Sequence, residues 1–171
     1  LSLKYGRAGE FNINKIIDIA ISENPNADIY IKIHPDVINL RKVSGIDLKK
    51  ISYKCKIISE DINAISLLEH FKKVYTRTSQ MGFEALIMGC KCVVFGMPFY
   101  AGWGLTDERV SCNRRDRKLN LTQVFAASYI LYTKYINPFS KKTSDIFDTI
   151  HTINRFKNIE LKRKNKVFLY G

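Results

Sequence analysis

The sequence is short of the residues that staple small proteins or hold metals, with four cysteines and three histidines in 171 residues. Cys55, Cys90, Cys92 and Cys112 do not make a disulfide framework. Cys90 and Cys92 stand two apart in an apolar run, a spacing that suits one face of a strand. His34, His70 and His151 add no zinc-ligand spacing, so reduced thiols and a cytoplasmic setting are expected. No apolar stretch is long enough to span a bilayer, and no signal-peptide pattern heads the sequence. It also opens without methionine, at "LSLKYGRAGE", which suggests a piece of a longer protein.

Acidic residues are scarce too, 16 against 28 Lys and Arg. Residues 1–100 carry fourteen basic and ten acidic side chains, whereas 101–171 carry fourteen and six. The second half is therefore the one that attracts anions: a phospholipid surface, a nucleotide or nucleic acid. A lysine-rich solvated face reads the same way from sequence alone.

With 46% hydrophobic residues the chain can bury one real core. Helical and strand patterns alternate along it. "NINKIIDIAISEN" spaces Ile13, Ile16, Ile17 and Ala20 as a helix; "DIYIKI" is a short strand halted by His34-Pro35. "CKIIS" reads as a strand, with Asp61 as a cap for the helix "NAISLLEHF". "KVYTRT" is a third strand, "SQMGFEALIMG" a helix closed by Gly89, and "KCVVFG" a strand apolar enough to be covered on both faces. "LTQVFAASYILYTKY" and "TSDIFDTIHTINRF" read as amphipathic helices. The alternation predicts an α/β fold with a doubly wound parallel sheet.

In such sheets ligands bind beyond the carboxyl ends of the strands. Three unusual features fall there: His34-Pro35, then Thr78, Ser79 and Gln80 at a helix start, then the loop "GMPFYAGWGLTDER". His34 can donate to a phosphate or act as acid or base, and Pro35 fixes the exit of the chain. Thr78 and Ser79 offer hydroxyls where the N–H groups of Gln80, Met81 and Gly82 are expected to point outward, an anion site. Glu84 shares a helix face with Gln80 and can accept from ribose hydroxyls; Phe83, Leu86 and Ile87 are expected to pack on the sheet. Met81 and Met88 read as packing. In the loop, Gly102 and Gly104 permit positive φ or close approach, and Pro98, Phe99, Tyr100 and Trp103 either wall a base or sugar ring or staple the loop to its own domain. Each feature alone has a plainer reading as a turn or a cap, and Asp107 with Arg109 reads as an exposed pair. Their coincidence at successive strand ends favours a ligand crevice.

"GMPFYAGWGLTDER" resembles the signature of the capsule polysaccharide biosynthesis family, the retaining β-Kdo transferases that build a linker on a lipid anchor. "IYIKIHPDV", "ISEDINAISLLEHFKKVYTRTSQMGFEALIMGCKCVVFGMPFYAGWGLTDER" and "NRRDRKLNLTQVFAASYILYTKYINP" extend the likeness over roughly residues 3 to 140. The resemblance implies a Rossmann-like, C-terminal donor-binding half of a GT-B enzyme over residues 1–158, with 159–171 a basic linker or the start of a following module. It implies CMP-β-Kdo as donor substrate, no metal ion and no cofactor. The acceptor would be lyso-phosphatidylglycerol or its growing Kdo chain, at the cytoplasmic face of a Gram-negative inner membrane. His34, with Pro35, Ser79 and Thr78 beside it, would meet the CMP phosphate. Glu84 would hold the ribose, and the loop from Gly96 to Leu105 would shape the donor pocket. The family's acidic residue near the sugar carbon would lie upstream of Leu1, so no catalytic residue is assigned within the chain. A fragment of this kind is expected to transfer little alone. The competing expectation is a noncatalytic basic module whose segments "NRRDRK" and "ELKRKNK" bind anionic lipid or nucleic acid.

Overall fold

The computed structural model describes Gly6, Gly9, residues 11–33 and residues 55–164, with the side chains of the last helix described through Ile159. The chain divides into two compact units, residues 1–121 and 122–171.

The first unit is the α/β part. Helix α1 (Ile13–Glu23) starts where the Asn12 side chain accepts the Lys15 N–H at 2.8 Å, satisfying one of the donors a helix start leaves open. Strand β1 (Ile29–Lys32) pairs in parallel with β2 (Cys55–Ile58), Ile29 opposite Cys55 and Lys32 opposite Ile58. Helix α2 (Ala64–Leu68) follows. Its cap is Asn63, which accepts the N–H groups of Ile65 and Ser66; Asp61, the expected cap, lies two residues too early to reach them. Strand β3 (Lys73–Thr76), helix α3 (Met81–Ile87) and strand β4 (Lys91–Val94) form a βαβ unit, Thr76 opposite Val94 in a parallel ladder. A strand absent from the sequence reading, β5 (Asp107–Glu108), extends this sheet in parallel beyond β4.

Side-chain alternation explains how both faces are covered. On one face Tyr75, Val93 and Phe95 pack with Ile16 and Ile19 of α1. The other flank of the same helix, Ile13, Ile17 and Ile21, packs with Ile29, Ile31 and Cys55, so α1 lies over both parallel sheets. On the opposite face Val74 joins Leu68, Ala85 and Cys90 under α2 and α3, with Met81 and Met88 filling in as packing residues. The buried side of α3 is Gly82, Phe83 and Ala85. Ile87, expected against the sheet, is 48% exposed because it falls on the outer side of this short helix.

The second unit contains most of α4 (Leu121–Phe125), which continues as a π-helical segment from Ala126 to Tyr132. One long amphipathic α-helix was expected there. Instead Ser128 donates its hydroxyl to the Val124 carbonyl, competing for an acceptor that the α ladder would use. Leu131 and Tyr132 are left 75% and 85% exposed. Strands β6 (Tyr135–Ile136) and β7 (Thr143–Ser144) form an antiparallel hairpin before helix α5 (Ile146–Lys164). That helix runs through residues 158 and 159, where the sequence suggested a boundary. Among the described residues, no helix is long and apolar enough to cross a membrane.

Candidate functional site

Two of the three expected features meet. Because β3 and β4 are adjacent and parallel, the segments leaving them share one edge, and the ladder runs on as the Phe95 N–H donates to the Thr76 carbonyl at 2.9 Å. Gly96 lies so close to the β3 exit that a Cβ there would sit 2.8 Å from Thr78 Cγ2 and 2.9 Å from the Arg77 carbonyl oxygen. The third feature, His34-Pro35, lies outside the described residues, as does Asp36.

At the β3 exit the Ser79 N–H donates to Thr76 Oγ1 at 3.3 Å, and Ser79 Oγ accepts from the Met81 N–H at 3.3 Å. The Gly82 N–H donates to the Ser79 carbonyl at 3.1 Å, and those of Phe83 and Glu84 to the Gln80 carbonyl. The outward-pointing N–H cradle expected at this helix start is therefore already engaged for Met81 and Gly82. What Ser79 still offers a ligand is its hydroxyl proton, on an exposed side chain. Glu84 is half-buried in the first turn of α3.

The aromatic loop is held in part by its own rings. Tyr100 is fully buried, and its hydroxyl donates to the Ser79 carbonyl at 2.6 Å. Burial pushes its phenol pKa up, so it remains a neutral donor. Phe83 and Phe99 flank it, at centroid distances of 5.9 and 5.2 Å. Gly82 is glycine because Tyr100 Oη stands 2.2 Å from where a Cβ would be. Tyr100 and Gly82, both expected to face a donor, thus serve packing: the ring turns inward over Gly82 and its hydroxyl reaches the Ser79 carbonyl. Pro98 is buried, whereas Phe99 and Trp103 are half-buried. The Trp103 indole N–H donates to the Phe99 carbonyl at 2.7 Å. Gly102 and Gly104 have φ of 79° and 81°, the conformations only glycine adopts without strain.

Two charged residues that sequence reading did not single out hold the loop from below. Glu108 Oε1, on β5, accepts the Gly102 N–H at 2.7 Å and the Thr106 hydroxyl at 2.5 Å. Arg115 Nη1 donates to the carbonyls of Pro98 and Ala101 at 2.5 and 2.6 Å, and its guanidinium lies 5.2 Å from the Trp103 ring centroid. Burial lowers the Arg115 pKa from the usual arginine value. A cavity of about 680 Å³ opens along this side, lined by Met97, Gly102, Glu108, Arg115, Arg117 and Lys118 among others. The segment "NRRDRK" is consequently not a uniform basic stripe, since one of its arginines is spent inside the fold.

Arg109 is more than half of an exposed pair. Besides Asp107 at 3.1 Å it meets Glu23 at 2.7 Å, and Glu23 also accepts the Tyr75 hydroxyl at 2.7 Å. The Tyr75 bond, opposed by burial and aided by Arg109, draws the Glu23 pKa below its usual 4.5. Among the described residues, no group of three or more His, Cys, Asp or Glu side chains is placed to hold a metal ion.

Comparison with known proteins identifies the relatives of this chain. Residues 2–135 match the family described as capsule polysaccharide biosynthesis protein. The chain is 38% identical to the capsule polysaccharide modification protein LipA of Neisseria meningitidis serogroup B, over the whole chain but 25% of that protein. It is 44% identical to the lipopolysaccharide-processing protein LpsZ of Rhizobium meliloti, over 78% of the chain and 30% of LpsZ. Among solved structures, the β-Kdo 2,4 transferase of Thermosulfurimonas dismutans KpsC superposes with a TM-score of 0.81 at 46% identity, covering 90% of this chain and 48% of the other. The β-Kdo 2,7 transferase of the same protein gives 0.70 at 30% identity, covering 84% and 46%. The chain thus spans a quarter to about half the length of these relatives, and the matched region holds both strand exits, the loop and Arg115. On that match, the chain belongs to the capsule polysaccharide biosynthesis protein family.

Proposed function

We propose that this chain is the donor-binding half of a GT-B glycosyltransferase that moves Kdo from CMP-β-Kdo onto a glycan acceptor in capsule biosynthesis. The observation that carries the reading is the meeting of the Ser79 turn and the aromatic glycine loop at adjacent parallel strand ends. It occurs in a chain 46% identical to a β-Kdo 2,4 transferase.

In this reading His34 and the Ser79 hydroxyl, with Pro35, Thr78 and Gln80 around them, receive the CMP phosphate. Glu84 accepts the ribose hydroxyls. Pro98, Phe99, Gly102, Trp103 and Gly104 shape the wall, while Tyr100 and Gly82 hold that wall to the helix start. Trp103 has its indole N–H committed to Phe99 and Arg115 near its ring, so it borders a ligand as part of a fixed surface. The carboxylate that retention by double displacement requires comes from a segment upstream of Leu1. The acceptor is a Kdo chain on lyso-phosphatidylglycerol at the cytoplasmic face of the inner membrane, and transfer needs neither metal nor cofactor.

The test is transfer by the intact protein carrying this chain, given CMP-β-Kdo and a lipid-linked Kdo acceptor with EDTA present. Kdo transfer that disappears in His34→Ala and falls in Ser79→Ala, both variants remaining folded, supports the assignment. Normal transfer in His34→Ala removes the phosphate role. No transfer from any CMP-sugar removes the reading as a whole.

A membrane contact is proposed for the second unit, where Phe147, Ile150 and Ile153 of α5 are exposed on the helix that carries Arg155 and Lys157. Sedimentation with phosphatidylglycerol vesicles should weaken when residues 155–171 are removed; undiminished sedimentation rejects it.

A further inference from the structure

We propose that Arg115 is a positioning residue for the nucleotide-sugar donor: by bridging the Pro98 and Ala101 carbonyls and facing Trp103, it fixes the aromatic loop in its receiving conformation. The inference rests on the donor-binding reading above and adds a residue to it.

Four observations point the same way. First, the two carbonyls that Arg115 joins are the ends of one turn, whose own bond is the Ala101 N–H to Pro98 carbonyl at 3.2 Å. One guanidinium nitrogen therefore pins a single turn of the loop, at 2.5 and 2.6 Å. Second, the fit is tight. A Cβ at Gly102 would stand 3.0 Å from Arg115 Cδ and 3.3 Å from its Cβ, so the arginine stem occupies space that only a glycine leaves open.

Third, the charge is carried at a cost. The guanidinium is partly withdrawn from water, and among the described residues no carboxylate forms an ion pair with it. Among the described residues its acceptors are the Pro98 and Ala101 carbonyl oxygens, with the indole face beside it and the Glu108 charge acting only through space. An apolar side chain would fill the space without that cost, so what the arginine adds is a defined geometry at three loop residues. Fourth, its contacts go to the loop rather than to the apolar core. The core side of the loop is already tied by Tyr100 to Ser79, and the far end by Glu108 to Gly102. Arg115 closes the remaining side, between Pro98 and Trp103.

Removing it should leave the βαβ unit intact and free the loop. Donor affinity should then fall, because the loop would have to be ordered at the moment of binding. Lysine is not an equivalent replacement: its ammonium is a more strongly hydrated point charge and lacks the delocalised guanidinium group that faces the Trp103 ring at 5.2 Å.

Trp103 is the only tryptophan in the sequence, so its emission reports on this contact directly. The experiment compares the 171-residue chain with Arg115→Ala and Arg115→Lys by tryptophan emission, acrylamide quenching, thermal midpoint and CMP titration. Without ligand, both variants should show red-shifted emission and stronger quenching. CMP affinity should fall about tenfold or more in both, as expected for a lost preorganising contact. Methylguanidinium added to Arg115→Ala should restore both the emission and the affinity, whereas methylammonium should not. In the intact transferase the KM for CMP-β-Kdo should rise and kcat change little, the mark of binding lost equally in ground and transition states.

Unchanged ligand-free emission in Arg115→Ala would show that the clamp does not hold the loop and overturn the proposal. So would equal CMP affinity in all three proteins. A collapse of the thermal midpoint that methylguanidinium fails to reverse would assign Arg115 to folding and likewise overturn it. A parent chain whose emission obeys the ligand-free expectations but which binds no CMP at any concentration would instead bring down the donor reading, and the inference with it.

Discussion

The Tyr100 hydroxyl donates to the carbonyl oxygen of Ser79 at 2.6 Å, joining the loop after β4 to the helix start after β3. Tyr100→Phe removes the donor and leaves the ring among Phe83 and Phe99. The Ser79 carbonyl keeps the Gly82 N–H at 3.1 Å, so it is not orphaned. The expected loss is about 1 kcal/mol, the net worth of a buried hydrogen bond whose acceptor retains a partner. A thermal melt should shift down by about 2–4 °C. No shift would mean the bond adds nothing beyond the packing of the ring.

Gly82→Ala should be worse. The added Cβ would meet Tyr100 Oη at 2.2 Å, Tyr100 Cζ at 2.8 Å and Thr76 Cγ2 at 2.9 Å, all within a packed helix–loop contact. Overpacking of this kind costs about 1–3 kcal/mol. The two substitutions share a contact, so they should not add: in a Tyr100→Phe background, where the hydroxyl is gone, Gly82→Ala should cost measurably less. A double-mutant cycle by urea denaturation checks this. Simple additivity would contradict the placement of the phenol over Gly82.

These two residues also show where the sequence could be read and where it could not. The β3–α3–β4 unit was legible because apolar continuity in "KCVVFG" and the Gly89 stop are local signals. Strand β5 was not: Asp107 and Glu108 have poor strand propensity, and pairing with Val93 and Val94 decides their conformation. The loop's position at the strand edge followed from the order of elements. The facing of its rings did not, because a glycine-rich turn has no period to separate inside from outside. Arg115 was hidden for a related reason. Among the basic residues of "NRRDRK", only the folded chain shows which one turns inward.

Acid should destabilise the first unit partly through Glu23. Its carboxylate accepts from Tyr75 and pairs with Arg109 and Lys73, which hold its folded pKa below the usual 4.5. A depressed carboxylate pKa contributes stability above the unfolded value, and that contribution is lost as pH falls through the folded value. The stability difference between the parent chain and Glu23→Gln should therefore be fully present at neutral pH and shrink below about 4.5. Denaturant titrations at several pH values measure it. A difference that stays constant into the acid range would mean the charge of Glu23 is not what Tyr75 and Arg109 stabilise.

The cysteines should separate by reactivity without any disulfide being involved. All four are free. Cys92 is buried within β4, and burial, aided by Cys90 and Glu108, pushes its thiol up to about 12. Cys90 is raised by burial as well, its thiol donating to the Phe71 carbonyl at 3.0 Å. Cys112 is half-exposed and shifted the other way, chiefly by a backbone hydrogen bond from Arg114 and by the Arg115 charge. Alkylation rates follow the thiolate fraction and access, and at pH 8 the Cys92 thiolate is only about one part in ten thousand. Brief iodoacetamide treatment of the native chain, followed by peptide mass analysis, should label Cys112 well before Cys55, Cys90 and Cys92. Those three should react only once urea opens the fold. Early labelling of Cys92 under native conditions would place β4 outside the closed core that positions the loop, and would undo the geometry on which the donor site depends.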